Sequence, residues 1–333
     1  ASISRLLEKG LPVFSLKDGY VVPGAISVSP SLGLTEMVLE EDTSDGSVSG
    51  TEIIEAADGI HMDGLMIERL RRVGVSKAVT APIGNFFLKG VSTYIDMSNH
   101  GSLDDTILKR DVAIHFNIGR TAKKGSDSSI SSQFKHLRDF LINKPLKYKD
   151  LPIAVHTHNA EIMKHIISMK RNEFPEEKFV VVGGQEAYLI ADELAEVHIP
   201  VIVAPWRCTA KFWDNRMCSP NEPLESKSSL QILQDAGVKF ALGQEADPIA
   251  RRTYWDAGWA ARTIRGYGLK EASGLISANI EEIFNLPKNN DITIFEHDPF
   301  DYGSFLAISL ECGEVTQCFP EVEEPKIGDE LFH

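Results

Sequence analysis

The chain has 333 residues, 43% of them hydrophobic, and a formal net charge of −14. It exceeds the usual ~100–200 residues of one domain, which fits one large domain with a small appendage, and the absence of any run of ~18 apolar residues excludes a membrane-spanning helix. The acidic balance argues against a sequence-independent nucleic-acid binder, which needs a clustered basic face.

Before residue 77 the chain gives few regular signals. A short helix and an apolar segment, Leu11–Leu16, precede the apolar strand Tyr20–Ser29, which ends in small polar residues. An acidic, Ser/Gly-rich loop over residues 40–55 is followed by a helix at Asp63–Arg72, and Gly74 is its stop signal.

From residue 77 onward, short apolar strands alternate with helical segments. An irregular segment runs from residue 82 to about residue 104, after the first of these strands. Strands are predicted at Lys77–Ala81, Val112–Ile118, Ile153–His158, Phe179–Val182, Val201–Ala204 and Val238–Leu242. Helices are predicted at Gln133–Ile142, Ala160–Lys170, Glu186–Val197, Ser229–Ala236, Arg251–Tyr267, Lys270–Ile276 and Ile280–Phe284. Such alternation indicates βαβ units and a parallel sheet.

About seven such strands favour an α/β fold with a (β/α)8 TIM-type barrel over a doubly wound sheet, because no Gly-x-Gly-x-x-Gly turn follows the first strand. Short strands at Ile292–Phe295, Phe305–Ser309 and Gly313–Thr316 predict a small appended β-sheet that forms a composite sandwich domain. We therefore expect a partial N-terminal β segment of the small sheet at 1–22, the barrel at 23–288, and the C-terminal strands of the small sheet with a tail at 289–333.

The cysteines and the N-terminal residues indicate the cellular compartment of the protein. Cys208, Cys218, Cys312 and Cys318 have no CxxC spacing and no adjacent histidine, which argues against a zinc finger and favours free thiols. No Asn-x-Ser/Thr sequon and no apolar signal-type core occur, so we expect an intracellular protein. Because Ala1 is not an initiator methionine, the chain is consistent with a processed or trimmed piece of a longer protein.

A pair of histidines near the middle of the chain is spaced like metal ligands. His156 and His158 alternate along a predicted strand, so both imidazoles point to one side. Two donors are too few for zinc, which takes three or four protein ligands. The remaining donors would come from the carboxyl ends of the other strands, where barrel enzymes place their chemistry. The other histidines, including His115, are expected on helices, loops or outward faces.

Several segments resemble one enzyme family. The stretch Tyr20–Leu34 resembles the first barrel strand of the metal-dependent amidohydrolases of the imidazolonepropionase-like group, in which Pro-Gly-x-Ile-Asp-x-His-x-His-x-Gly is typical. The stretch Ala236–Ala246 resembles their last strand, and Ala56–Gly59, Gly184–Ala187 and Asp291–Pro299 match in place and order. The resemblance implies a mono- or dinuclear metal site, usually zinc. It also implies water attack on an amide or related C–N bond, with an aspartate of the last strand as general base.

Residue by residue, the chain departs from this ligand pattern. The two histidines of the first strand fall at Ser29 and Ser31, the histidine of the sixth strand falls at Gly183, and the aspartate of the last strand falls at Glu245. Only His156 matches a family ligand directly. Serine hydroxyls are poor zinc ligands and glycine offers no side chain, so the family ligands are degenerate at these positions.

Two functions follow from these departures. The favoured one is an amidohydrolase-like domain with lost or impaired metal-dependent hydrolase activity and no bound metal, serving as a structural, interaction or ligand-binding module. The alternative is an active hydrolase of a non-peptide amide or cyclic amide C–N bond. In it, His156, His158 and Glu245 hold one Zn²⁺ or another divalent metal, and Glu245 is the catalytic base.

Other candidate residues concern substrate and partners. Arg207, Trp206 and Asn117 are predicted to bind substrate, because a guanidinium suits an anionic or carboxylate group; Arg207 beside Trp206 could equally anchor a loop. Glu245 could instead be a buried carboxylate paired with Arg251 or Arg252. The partners expected are a small-molecule substrate or ligand and, because few strands precede the barrel, another domain or chain that covers the edge of the small sheet.

Overall fold

The computed structural model of the protein describes residues 15–29, 31–37, 40, 43–46, 50, 52–98, 102–221, 224–311 and 313–318. The predicted N-terminal helix, most of the apolar segment at 11–16 and Cys312 lie outside these residues. Among the described helices, none has both the length and the apolar character needed to cross a membrane.

The described strands and helices largely follow the predicted order. The strands are β1 Gly19–Pro23, β2 Ala25–Ser29, β3 Val75–Thr80, β4 Leu88–Val91, β5 Thr93–Asp96, β6 Ile107–Lys109, β7 Ile114–Asn117, β8 Ile153–Thr157, β9 Phe179–Gly183, β10 Val201–Val203, β11 Phe240–Leu242, β12 Ile292–Glu296, β13 Phe305–Glu311 and β14 Glu314–Cys318. The α-helices are α1 Ala56–Gly59, α2 Leu65–Arg71, α3 Leu103–Thr106, α4 Ile130–Ile142, α5 Ala160–Asn172, α6 Ala191–Glu196, α7 Ser229–Asp235, α8 Thr253–Arg262, α9 Leu269–Leu275 and α10 Ala278–Phe284.

The strands form three sheets. Six strands pair in the order β11-β10-β9-β8-β7-β4, and the five from β7 to β11 are mutually parallel. Four pair in the order β2-β3-β5-β6, and four antiparallel strands form the small sheet β1-β12-β13-β14. The predicted α/β fold with parallel strands and a small appended sheet is therefore confirmed. Gly19–Pro23 pairs antiparallel with Ile292–Glu296 in this small sheet.

The six-stranded sheet and the sheet β2-β3-β5-β6 are connected at two places. On one side, Ser92 alone separates β4 from β5, so a single extended stretch belongs to both sheets. On the other side, the backbone N–H of Gln244, after β11, donates to the carbonyl oxygen of Val28 in β2 at 2.9 Å. The strand ladders themselves give two sheets and do not close one continuous barrel.

The prediction of an irregular segment at 82–104 is wrong, because this segment contains β4 and β5. Both strands are buried on both faces, so they lack the alternation of apolar and polar residues that marks a half-buried strand. Gly90 further hides the signal. Its φ is +128° and an added Cβ would lie 2.4 Å from the carbonyl oxygen of Ile54, so no other residue fits there.

Helix α5 begins directly after the strand that carries His156 and His158. The side chain of Asn159 accepts hydrogen bonds from the backbone N–H groups of Glu161 and Ile162, so it caps α5 directly after His158. Buried Ile162, Met163, Ile166 and Ile167 then hold one face of the helix on the core.

A buried ion cluster joins the small sheet to the rest of the fold. The ammonium of Lys77 on β3 lies 2.5 Å from a carboxylate oxygen of Asp96 on β5 and 2.6 Å from one of Asp291, just before β12. Burial disfavours the charge of Lys77, but hydrogen bonds to Asp291 and Asp96 outweigh it and raise the pKa of this lysine.

We expect Lys77→Met to destabilise the protein by about 3–5 kcal/mol, because it removes the buried ammonium that both the Asp96 and the Asp291 carboxylates contact. The free energy of unfolding is measured by urea denaturation. The matched control is Lys135→Met, which removes an exposed helix-surface pair with Asp139 and should cost at most about 0.5 kcal/mol. Equal losses in the two variants would contradict the role assigned to Lys77.

Candidate functional site

A cavity of about 260 Å³ opens at the carboxyl ends of the parallel strands. Side chains from β2, β4, β7 and β8 line it together with residues that follow β10 and β11. Its lining includes Ser29, Lys89, His115, Asn117, His156, His158, Gly183 and Glu245. A larger cavity of about 990 Å³ opens near Pro152 and Pro200, at the opposite ends of the strands, and contains none of the predicted site residues. The smaller cavity is therefore the candidate site.

The two serines at degenerate ligand positions are hydrogen-bonded to a carboxylate. Ser31 Oγ donates to Asp247 Oδ2 at 2.6 Å, and Ser29 Oγ donates to Asp247 Oδ1. Asp247 is buried and begins a 3₁₀ helix, Asp247–Arg252, shortly after β11. The family resemblance places the last-strand carboxylate at Glu245, and Asp247 was not among the residues predicted from the sequence. The sequence does contain one indication of Asp247. It directly precedes Pro248, and an acidic residue before a proline is typical of the start of a helix.

Glu245 lies at the rim of the cavity. Its carboxylate, one third exposed, pairs with the ammonium of Lys211 at 3.3 Å. The alternative pairing of Glu245 with Arg251 or Arg252 is not observed: Arg252 Nε donates to Asp256 at 3.0 Å, and Arg251 Nε donates to the carbonyl oxygen of Pro248.

His156 is hydrogen-bonded to a second histidine on the neighbouring strand. His156 Nε2 and His115 Nδ1 are 2.7 Å apart, and His115 Nε2 is 2.8 Å from Ser92 Oγ. Ser92 Oγ also lies 3.3 Å from the carbonyl oxygen of Ala113, and when its proton is donated there, His115 Nε2 is the donor to Ser92. In that tautomer of neutral His115, Nδ1 accepts from His156 Nε2–H, and Nδ1 of His156 keeps its lone pair.

Both imidazoles are held neutral. Burial lowers the pKa of His115 to about 3, with a smaller contribution from the positive charge of Lys89. Burial likewise lowers the pKa of His156 well below its ordinary value. The expectation that His115 lies on an outward or peripheral position is wrong, because it lies on β7 and lines the cavity.

His158 occupies the space that a side chain at position 183 would need. A Cβ added to Gly183 would lie 2.9 Å from His158 Cε1 and 2.8 Å from the carbonyl oxygen of Thr157, and the φ of Gly183 is +107°. The Nδ1 atom of His158 is buried and has no hydrogen-bond partner among the described residues. Burial also lowers the pKa of His158.

A buried lysine completes the lining. Lys89, on β4, is only 4% exposed, and burial lowers its pKa to about 8 although the charge of Asp247 acts in the opposite direction. Lys89 was not among the residues predicted from the sequence, because it lies in the segment at 82–104 that has no strand-like alternation of apolar and polar residues.

These side chains do not fit a divalent metal. Within the described residues, no group of three or more His, Cys, Asp and Glu side chains is arranged to hold one. One nitrogen of His156 is committed to His115, and Glu245 is paired with Lys211. The ammonium of Lys89 lines the same cavity and would repel a cation.

Two of the three predicted substrate-binding residues lie outside the cavity lining. The guanidinium of Arg207 lies 4.7 Å from the ring centre of Trp259, close to Trp255 and Trp206, and it pairs with Asp256 at 3.5 Å. This environment supports the loop-anchor interpretation of Arg207 and Trp206.

Asn117, the third predicted substrate-binding residue, does line the cavity. Its Nδ2 donates to the backbone carbonyl oxygens of Gly84 at 3.1 Å and Phe86 at 2.7 Å. Both protons of the amide group are therefore used to hold the loop before β4.

A disulfide closes the loop that borders the cavity. Cys208 and Cys218 form this bond, so the expectation of free thiols is wrong for these two residues. Phe212 and Asp214 of the loop line the cavity, and Asp214 accepts a hydrogen bond from the backbone N–H of Arg120 at 2.7 Å. The pairing was not visible in the sequence because ten positions separate the cysteines without a known spacing motif.

Comparison with known proteins yields one curated relative and several solved structures. No family model matches the chain. The amidohydrolase tasK of Hapsidospora irregularis is 24% identical over 367 aligned positions, which cover 92% of this chain and 37% of that protein. The crystal structure of an amidohydrolase from Thermotoga maritima MSB8 superposes with a TM-score of 0.79 at 20% identity, covering 92% of this chain and 89% of that one.

A beta-aspartyl dipeptidase from Fervidobacterium islandicum AW-1 superposes more loosely, with a TM-score of 0.50 at 10% identity and coverages of 91% and 86%. At these identities the solved structures establish the fold alone. Neither they nor the curated relative single out the imidazolonepropionase-like group, which stays a prediction.

Because His158 packs against Gly183, we expect a side chain at position 183 to destabilise the protein. Gly183→Ala should lower the free energy of unfolding by about 1 kcal/mol for its positive φ and by a further ~1–3 kcal/mol for the clash with the carbonyl oxygen of Thr157 and with His158. The control is Gly237→Ala, which has a positive φ of +78° but open space around its Cβ position. Urea denaturation midpoints compare the two variants. If Gly183→Ala costs no more than Gly237→Ala, then His158 does not block this position.

Proposed function

We propose that this chain, which belongs to the amidohydrolase superfamily, is a domain that binds a small molecule in its cavity without the metal-dependent hydrolysis usual in that superfamily. The chain spans 37% of the length of the curated relative that it matches, so the proposal concerns this domain and not the activity of a larger protein.

The main observation in support of this proposal is that Ser29 and Ser31 are hydrogen-bonded to Asp247. Ser29 and Ser31 occupy the positions where the family resemblance implies histidine ligands, and each donates its hydroxyl proton to Asp247. A neutral hydroxyl that is already bound to a carboxylate is a poor zinc ligand. The carboxylate has both oxygens satisfied without a metal.

The remaining groups are suited to binding and not to proton transfer. His115 and His156 are neutral, buried and bonded to each other, so neither has a pKa near the working pH expected of a general base. Glu245, the predicted base, is held at the rim by Lys211. The cavity thus supports recognition of a small ligand by Lys89 and the apolar lining, within an otherwise structural or interaction domain.

Metal content tests this proposal. Protein purified without chelator should contain far less than one zinc per chain by elemental analysis, and EDTA should leave its Tm unchanged, because no protein donor set holds the ion. A stoichiometric zinc would support the alternative, a hydrolase with a reduced mononuclear site. In that case His156→Ala and Glu245→Gln should each abolish both zinc binding and hydrolysis of an amide or cyclic amide substrate.

A further inference from the structure

We propose that the cavity binds a small carboxylate with a short apolar body, and that the Lys89 ammonium is its counter-ion. This inference deepens the proposed function and rests on it, because the ammonium is available to an anion only where no metal-dependent site uses the cavity.

Lys89 is a buried cation without a partner in the described part of the chain. Its side chain lines the cavity and is 4% exposed, yet no hydrogen bond or ion pair joins it to any described residue. An ammonium has three donors, and a buried unpaired charge costs several kcal/mol. A ligand that supplies a negative charge and acceptor oxygens would offset this cost.

The other charged groups around the cavity already have partners. Asp247 accepts from Ser29 and Ser31, Asp214 pairs with Arg120 at 3.7 Å, and Glu245 pairs with Lys211 at 3.3 Å.

The three histidines of the cavity have lowered pKa values and are neutral at pH 7. Lys89 is thus the only cation among the described residues that line the cavity. The three nearby carboxylates form their hydrogen bonds or ion pairs with other residues.

The size and lining of the cavity narrow the class of ligand. Its volume of about 260 Å³ lies just below the usual ~300–1,000 Å³ of small-molecule sites, which limits the ligand to a small molecule. Apolar side chains, among them Val79, Ile118, Val182 and Phe212, form part of the wall. One ammonium balances one negative charge, and the nearby Asp247 disfavours a second one. A monocarboxylate therefore fits better than a phosphate dianion.

The test compares a charged probe with a neutral probe of the same shape. Binding of benzoate and of benzamide to the whole chain is measured by calorimetry and by the shift in Tm, with acetate and butyrate as smaller carboxylates. We expect at least one carboxylate to bind and to raise Tm, and benzamide to bind at least about tenfold more weakly than benzoate, because it lacks the charge that pairs with Lys89.

Lys89→Met removes the charge and keeps an apolar stem of similar length. We expect it to reduce carboxylate affinity at least about tenfold and to leave Tm without ligand unchanged or higher, because it removes an unpaired buried charge. A lysine with a purely structural role would instead lower Tm. The matched control is Lys164→Met, at an exposed pair with Glu161 on α5, which should bind carboxylates as the unmodified chain does.

A second measurement does not depend on any variant folding. Bound carboxylate should protect Lys89 from reductive methylation in the unmodified protein, as read by peptide mass spectrometry, while Lys164 is modified equally with and without ligand. Equal binding of benzoate and benzamide, undiminished carboxylate binding in Lys89→Met, no binding of any of the three carboxylates, or no protection of Lys89 would each overturn the inference.

Metal analysis of the same sample separates the two proposals. Metal-free protein without Lys89-dependent carboxylate binding overturns only the ligand assignment. Stoichiometric zinc overturns the proposed function itself, whatever the carboxylates do.

Discussion

The contact between Asp247 and the serines of the first strand is the interaction on which the site depends. It joins the residues after β11 to those at the end of β2, next to the hydrogen bond from Gln244 to Val28 that links the edge of the six-stranded sheet to the edge strand β2 of the sheet β2-β3-β5-β6. The same contact satisfies the carboxylate and both hydroxyls. One set of hydrogen bonds thus connects the strands around the cavity and occupies the groups that a metal would otherwise need.

The electrostatics of the cavity follow from this contact. With Asp247 held by hydroxyls, the carboxylate contributes only a longer-range attraction to Lys89, which is too weak to offset the cost of burying the ammonium. The same buried positive charge helps to keep His115 and His156 neutral. A buried ionisable group with a perturbed pKa in a cleft is a candidate functional group, and structural ion pairs also perturb pKa values. Lys77 shows the structural case, because two aspartates surround it.

The sequence predicted the fold better than the site. Strands such as β8 and helices such as α5 carry strong local signals, and they lie where they were expected. Lys89 was missed because β4 is buried on both faces and contains Gly90, so its sequence lacks the alternation of apolar and polar residues that predicts a strand. His115 had a usable signal, since it lies two residues before Asn117 on a predicted strand and so shares its face. The contact of Asp247 with Ser29 spans more than two hundred residues, and only the fold brings them together.

The departure from the metal-ligand pattern of the family involves several residues that contact one another around the cavity. Restoring the two first-strand histidines would therefore not be sufficient to restore the pattern. Histidines at positions 29 and 31 alone would not rebuild a metal site, because His158 fills the space beside Gly183 and His156 Nε2 is bonded to His115. A histidine at position 29 would also line the cavity that the Lys89 ammonium lines. A side chain at 183, a released imidazole at 156 and a neutral group at 89 would all be required together. Positions 183 and 156 are buried or half-buried in close packing, where single changes cost stability before they restore a donor.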